Sequence, residues 1–254
     1  MDRFQDGHHV RLRSRVPRTY LHAADDGESV ILGQRRASMN AAWAVHIYHG
    51  DDGPYLLLHS AAYGRYLAAT TTRSRLGHRG LRAELCDYDT AQLEAMMWRA
   101  VGSGVGGRYL RANGRYIRWN AGVSVDNSVS SMMYWVVEPI PAREDMPALP
   151  APHPLDLEPG RLIRFVRALD DGWPQFWFRG RSAFRLRDDL GFLVGAGVYY
   201  RTVAMCVRAG RYGRLTPLVV DLPDGGYGGT LEIIVFRAGT PAYNELRHPD
   251  VDAE

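Results

Sequence analysis

Val10-Arg11-Leu12-Arg13-Ser14, a short turn, Tyr20-Leu21-His22-Ala23, and then Ala42-Trp43-Ala44-Val45 form the stretch that decides the fold, because its pattern returns twice. The second copy reads Tyr55-Leu56-Leu57-Leu58-His59-Ser60, a turn, Arg65-Tyr66-Leu67-Ala68-Ala69, and Met97-Trp98-Arg99-Ala100. The third reads Arg108-Tyr109-Leu110-Arg111-Ala112, a turn, Arg115-Tyr116-Ile117-Arg118, and Tyr134-Trp135-Val136-Val137. Apolar–polar alternation marks half-buried strands, and turns such as Ala62-Tyr63-Gly64 and Asn113-Gly114 carry hairpin chemistry. Each copy therefore predicts an alternating strand, a tight turn, a second strand with an aromatic–aliphatic pair, and a strand bearing tryptophan.

The tryptophans lie 55 and 37 residues apart, so the second copy holds an insertion, which the broken pattern places within Thr70–Glu94. Three β-rich repeats of this length suit a β-trefoil over residues 1–140, since a propeller needs more blades and a solenoid stacks like rungs. Trp43, Trp98 and Trp135 are then its equivalent core residues, and truncating such a buried tryptophan costs about 3–5 kcal/mol.

Beyond the repeats the composition changes. Residues 141–160 are proline-dense and predict a semi-extended linker. Residues 161–238 present a different order of elements: strands over Leu162–Ala168 and Gln175–Arg179 around the Asp170-Asp171-Gly172 turn, then a helix over Ala183–Val194. Ser182 is placed to cap that helix, with Leu186, Leu190 and Leu193 on one face. Strands over Val203–Arg208, Leu215–Leu222 and Thr230–Phe236 follow, the last after the Asp224-Gly225-Gly226 turn. A hairpin, a helix and further strands predict a small α+β domain of the β-grasp, ubiquitin-like kind. Residues 239–254 read as a tail.

Composition excludes some chemistry. All 31 basic residues are arginine, so Schiff-base lysines and phosphate-loop lysines are impossible. A net charge of +3 is too weak to imply a nucleic-acid partner. Cys86 and Cys206 supply no disulfide framework, and no apolar run resembles a signal peptide or a membrane span. The expected compartment is the cytoplasm, or the nucleus. Nucleophile elbows, zinc-helix motifs and phosphate-binding loops do not occur. The glycine-rich run Gly102–Gly107 lacks a following helix to hold a phosphate. His8-His9 and His46…His49 lack cysteine or carboxylate ligands at metal spacing. No enzyme, metal or cofactor is implied.

The opening VRLRS…RTYLHAADDGESV…AAWAV, the segment SAAYGRYLAA, the later CVRAGRYGRLTPLVVDLP and the closing GTPAYNELRHPDVDA resemble the plant domain-of-unknown-function 569 family across nearly the whole chain. The resemblance implies a fascin-like, actin-cross-linking-type β-trefoil followed by a second conserved region, and it brings no catalytic or binding residues.

Two binding classes remain. Ricin-type lectin repeats carry glutamine two residues before the tryptophan, and here those positions are Ala41, Met96 and Met133. Arg11, Arg13, Arg65, Arg108, Arg111, Arg115 and Arg118 recur near repeat strand ends, where pseudo-symmetry could gather them into a basic patch for an acidic partner such as an actin surface, a phospholipid headgroup or RNA. Arg161, Arg164 and Arg167 form a second basic cluster, without an acidic counterpart for self-association, so the oligomeric state stays open. The expected function is a non-enzymatic binding or scaffold protein with a protein partner, actin being the concrete case. A carbohydrate- or small-ligand-binding module is the alternative.

Overall fold

The structure, a computed structural model, describes residues 3–89, 93–100, 108–114, 122–152, 159–167, 172–195 and 203–253. Arg115, Arg118, the Gly102–Gly107 run and the Asp170-Asp171 turn lie outside the described residues. The first half contains β1 (His9–Ser14), β2 (Tyr20–Ala23), β3 (Val30–Gly33) and, after a 3-10 turn at Met39–Ala41, β4 (Trp43–Gly50). It continues through β5 (Gly53–Ser60), β6 (Tyr66–Arg73), β7 (Leu81–Cys86) and the helical turn α1 (Leu93–Met96). β8 (Tyr109–Asn113), β9 (Gly122–Asp126), a 3-10 turn at Ser131–Met133 and β10 (Trp135–Ile140) complete it. All ten strands belong to one sheet ordered β10-β1-β2-β3-β9-β7-β6-β5-β4, with β8 on β9. An added β1–β4 pairing, His9 with Ala44 and Val10 with Trp43, closes the sheet on itself. Closure leaves few strand edges for unwanted pairing.

The three tryptophans do the same thing in each copy. Each follows a helical turn, packs on the same core and donates its indole N–H to a leucine carbonyl: Trp43 to Leu21 at 3.0 Å, Trp98 to Leu67 and Trp135 to Leu110 at 2.9 Å. Trp43 is fully buried, while Trp98 and Trp135 are partly buried. In the third copy the accepting leucine sits on the strand aligned above with Val10 and Tyr55. The Tyr116-Ile117 pair expected in that role lies outside the described residues. Leucine-to-tryptophan separations of 22, 31 and 25 residues place the extra length of the second copy between Leu67 and Trp98.

The second half is a five-stranded sheet ordered β13-β12-β16-β14-β15, from β12 (Gly160–Arg167), β13 (Gln175–Arg179), β14 (Val203–Arg208), β15 (Leu215–Pro217) and β16 (Thr230–Arg237). Only β12–β16 is parallel. Helix α2 (Ala183–Leu193) is capped by Ser182, whose side chain accepts from the Arg185 N–H, and buries Ala183, Leu186 and Leu190 against Ile163, Phe165 and Phe178. Leu193, expected on that face, ends the helix and is 49% exposed. β15 is shorter than expected: after it the Leu218 N–H makes one more bond, to the Met205 carbonyl at 2.8 Å, and Leu218 and Leu222 are buried in the core.

The proline-dense segment is held in place. Its β11 (Ala142–Arg143) pairs with β17 (His248–Pro249), the Asp250 N–H donates to the Pro141 carbonyl at 2.8 Å, and Met146 and Leu149 pack into the cores of both halves. Between β16 and β17 runs α3 (Pro241–Asn244), capped by Thr240. The halves also touch directly. The Arg214 N–H donates to the Tyr66 hydroxyl at 3.0 Å, Thr216 Oγ1 lies 3.3 Å from His59 Nδ1, and the Tyr88 N–H donates to the Ala209 carbonyl at 3.0 Å.

Candidate functional site

The arginines singled out by the repeats go to different places. Arg11 is fully buried, donating from Nε to the Arg36 carbonyl and from a terminal nitrogen to the Val251 carbonyl. Arg13, on the same strand, pairs with Glu138 at 2.7 Å, and Arg36 reaches the same carboxylate at 3.6 Å. Arg65 pairs with Asp87 at 2.9 Å and Glu28 at 3.5 Å. Arg111 donates to Asn113 and Ser130 and lies 3.9 Å from Asp126. These side chains are engaged by partners within the fold. Arg108 differs: it is exposed and has no ion-pair partner among the described residues.

Arg108 belongs to a different cluster, built on the insertion of the second copy. β6 and β7 pair as Tyr66–Cys86 through Ala69–Ala83, then shift register before Arg73–Leu81. The tip is a four-residue turn, in which the His78 N–H donates to the Arg75 carbonyl at 3.0 Å. Gly77 stands third in this turn with φ 88°, as a type II turn requires, leaving Leu76 at the apex. Below it, the Ser74 N–H donates to the Gly80 carbonyl at 3.0 Å, and Ser74 Oγ donates to the Leu81 carbonyl at 3.2 Å. The returning strand leans on β9 through Leu81–Val125 and Arg82–Ser124. Gly80 has φ 85°, and a side chain there would run into the Val125 carbonyl. The His78 ring occupies the space that a side chain on Gly122 would need.

Arg73, Arg75, Arg79 and Arg108 surround one open groove of about 650 Å³, which also takes in Ser74, Leu76, His78, Val125 and Asn127 and, among the described residues, has no carboxylate in its lining. All four arginines are exposed, and among the described residues none has an ion-pair or hydrogen-bond partner for its guanidinium. Leu76 is 82% exposed at the apex. Unpaired guanidiniums keep all their donors for an incoming anion, in planar forks that suit carboxylate or phosphate. The sequence located the insertion and named Arg108. It missed Arg73, Arg75 and Arg79, whose Arg-x-Arg…Arg spacing at a hairpin tip was the available signal.

A second concavity, of about 410 Å³, lies between the halves. Arg65, Arg161, Arg164 and Arg208 line it together with Asp26, Glu28, Asp87 and Glu232. Arg164 pairs with Glu232 at 3.0 Å, and Arg161 donates to the Pro223 carbonyl at 2.9 Å with its guanidinium over Tyr227. Arg167, third of that cluster, ends β12 exposed.

The histidines serve the junction. Burial is the main cause pushing His9 and His46 down to about 4 and His59 to about 3, helped by His248 at His9, Arg214 at His46 and His9 at His59. The Tyr66 hydroxyl accepts from the Arg214 N–H and lies 3.2 Å from His46 Nδ1, a bond whose direction is set by the imidazole tautomer. Among the described residues no group of three or more His, Cys, Asp or Glu is placed to hold a metal ion.

Comparison with known proteins adds family and fold. The family described as "Beta-trefoil domain of unknown function (DUF569)" matches residues 1–138, and the "DUF569 associated ubiquitin-like domain" matches residues 159–236. No curated protein matches the chain. Similar solved structures include the SDF2-like protein from Arabidopsis thaliana, at 16% identity over 53% of this chain and 93% of that one, TM-score 0.44. A Caenorhabditis elegans protein with unknown function matches at 15% identity over 54% and 96%, TM-score 0.46. The ricin B-like lectin of Macrolepiota procera in complex with lactose matches at 14% over 53% and 96%, TM-score 0.38.

Proposed function

The chain belongs to the DUF569 family, a β-trefoil domain with its associated ubiquitin-like domain, and we propose that it is a non-enzymatic binding protein that docks an anionic partner on the β6–β7 hairpin. One observation carries this reading: among the described residues, four exposed arginines without partners converge on a groove free of carboxylates. Most of the other repeat arginines already spend their donors within the fold, which weakens a patch spread across the trefoil. A fascin-like trefoil and a partner such as an acidic protein surface, actin included, fit this site. Both cysteines are free, and burial pushes the Cys206 thiol up to about 12, which suits a reducing compartment such as the cytoplasm or nucleus.

The test is the binding of heparin, a soluble polyanion, by the full chain at increasing salt. Binding falls as salt rises, because exposed charges are screened over a Debye length of about 8–10 Å. Arg73→Glu combined with Arg75→Glu abolishes it, while Arg99→Ala, which removes a cation paired with Asp52 elsewhere, leaves it unchanged. Equal binding by the charge-reversed chain would refute the site. A small-ligand reading is favoured by the cleft between the halves, whose volume falls in the range of small-molecule pockets. A thermal-shift screen of sugars and polar metabolites checks it through Arg208→Ala, which removes a shift due to cleft binding.

A further inference from the structure

We propose that the partner of this hairpin is an anionic phospholipid surface, with the arginines taking headgroups and Leu76 entering the interface; the proposal rests on the reading of the hairpin as an anion-docking element. Charge alone would serve any anion, so the apex decides. The turn lifts Leu76 to the most outward position of the hairpin, 82% exposed between Arg75 and Arg79. A soluble acidic partner would have to offer this leucine a matching pocket, whereas a bilayer offers acyl chains beneath its headgroups anywhere on its surface. Long arginine side chains around an apolar tip can keep their charge among the headgroups while their stems follow the leucine inward.

Two further observations favour lipid over nucleic acid. From Thr70 to Arg82 the hairpin carries no Phe, Tyr or Trp on which a base could stack, and its one imidazole, His78, is packed against Gly122. The four cations form one compact cluster on a chain whose net charge is only +3, whereas a nucleic-acid groove needs a stripe of cations along the backbone. The contrast with Phe192 is instructive. It is equally exposed, at 83%, but follows Asp188 and Asp189 on α2, so an anionic membrane would repel that end of the helix. At the hairpin tip the 82%-exposed Leu76 sits beside unpaired cations. Its seating on β9 through Gly80 fixes the hairpin against the barrel while Leu76 stays exposed.

The test is co-sedimentation of the full chain with phosphatidylcholine vesicles and with vesicles of phosphatidylcholine mixed with phosphatidylserine. The chain sediments with the mixed vesicles and stays in solution with phosphatidylcholine alone. Each arginine contributes roughly fivefold to partitioning, so Arg75→Ala with Arg79→Ala lowers it about 25-fold. Leu76→Ser, which leaves the charge untouched, lowers it roughly tenfold. All substituted positions are exposed, and an unchanged melting temperature confirms that the variants fold. A chain that retains heparin but ignores mixed vesicles overturns the lipid assignment and spares the anion-docking reading. A chain that binds neither overturns both. Vesicle binding unaffected by Leu76→Ser, or equal on both vesicle types, overturns the proposed mode, and tighter binding to duplex RNA than to vesicles assigns the hairpin to nucleic acid.

Discussion

At the scale of single residues, the buried histidines set the pH range in which the fold holds. His9, His46 and His59 are held neutral, with folded-state values of about 4, 4 and 3 against an unfolded value near 6.5. A lowered histidine value means that the unfolded chain takes up protons first as pH falls. Their contribution is therefore complete above about pH 6.5 and is lost between there and about pH 4 to 3. We expect the unfolding free energy to drop by a few kcal/mol across that window, a summed effect smaller than three independent shifts because the sites interact. His59→Gln should flatten the profile, as read by urea titrations at several pH values; an unchanged slope would show that His59 does not set it. The same scale limits what the sequence reveals. The histidine pairs were legible as candidates for metal, but their role at the junction depends on Tyr66 and Arg214, 148 residues apart.

At the scale of elements, the three tryptophan strands were readable because the same side chain recurs in the same strand context, and each makes the same bond. The third copy was harder because Arg108-Tyr109-Leu110 and Arg115-Tyr116-Ile117 are near-duplicates seven positions apart. Either could match Tyr20-Leu21, and only the long-range bond from Trp135 shows that Leu110 accepts. The candidate site was legible as an insertion but not as a surface. Whether an arginine is free depends on whether a carboxylate such as Glu138 or Asp87 folds against it. The hairpin itself hinges on one glycine. Gly80→Ala should cost about 1 kcal/mol for its positive φ and more for the collision with the Val125 carbonyl. Gly7→Ala, at φ 75° with open space around it, should incur only the first part. Chemical denaturation compares the two, and equal losses would mean that β9 yields to the added methyl.

At the scale of the whole molecule, the two halves share a boundary fastened by residues far apart in sequence. Removal of residues 248–253 takes away β17 and the carbonyls of Val251 and Ala253, to which Arg11 and Arg36 donate. A fully buried guanidinium that loses an acceptor is costly, on the order of 3 kcal/mol. The truncated chain should therefore lose stability in its first half, more than 200 residues away in sequence. In an Arg11→Met background the same truncation should cost markedly less, and this difference isolates the pair. Tryptophan fluorescence during thermal unfolding reads it directly, and equal costs in both backgrounds would rule the coupling out.

The reach of Arg11 to Val251 also bears on the order of events during synthesis. At about 5–20 residues per second, the ribosome finishes the last strand of the barrel roughly 5–20 seconds before it makes the residue that satisfies an arginine from the first strand. Throughout that interval the nascent barrel holds Arg11 with the Arg36 carbonyl but without that of Val251, and the chaperones that attend emerging chains have that long to act on it.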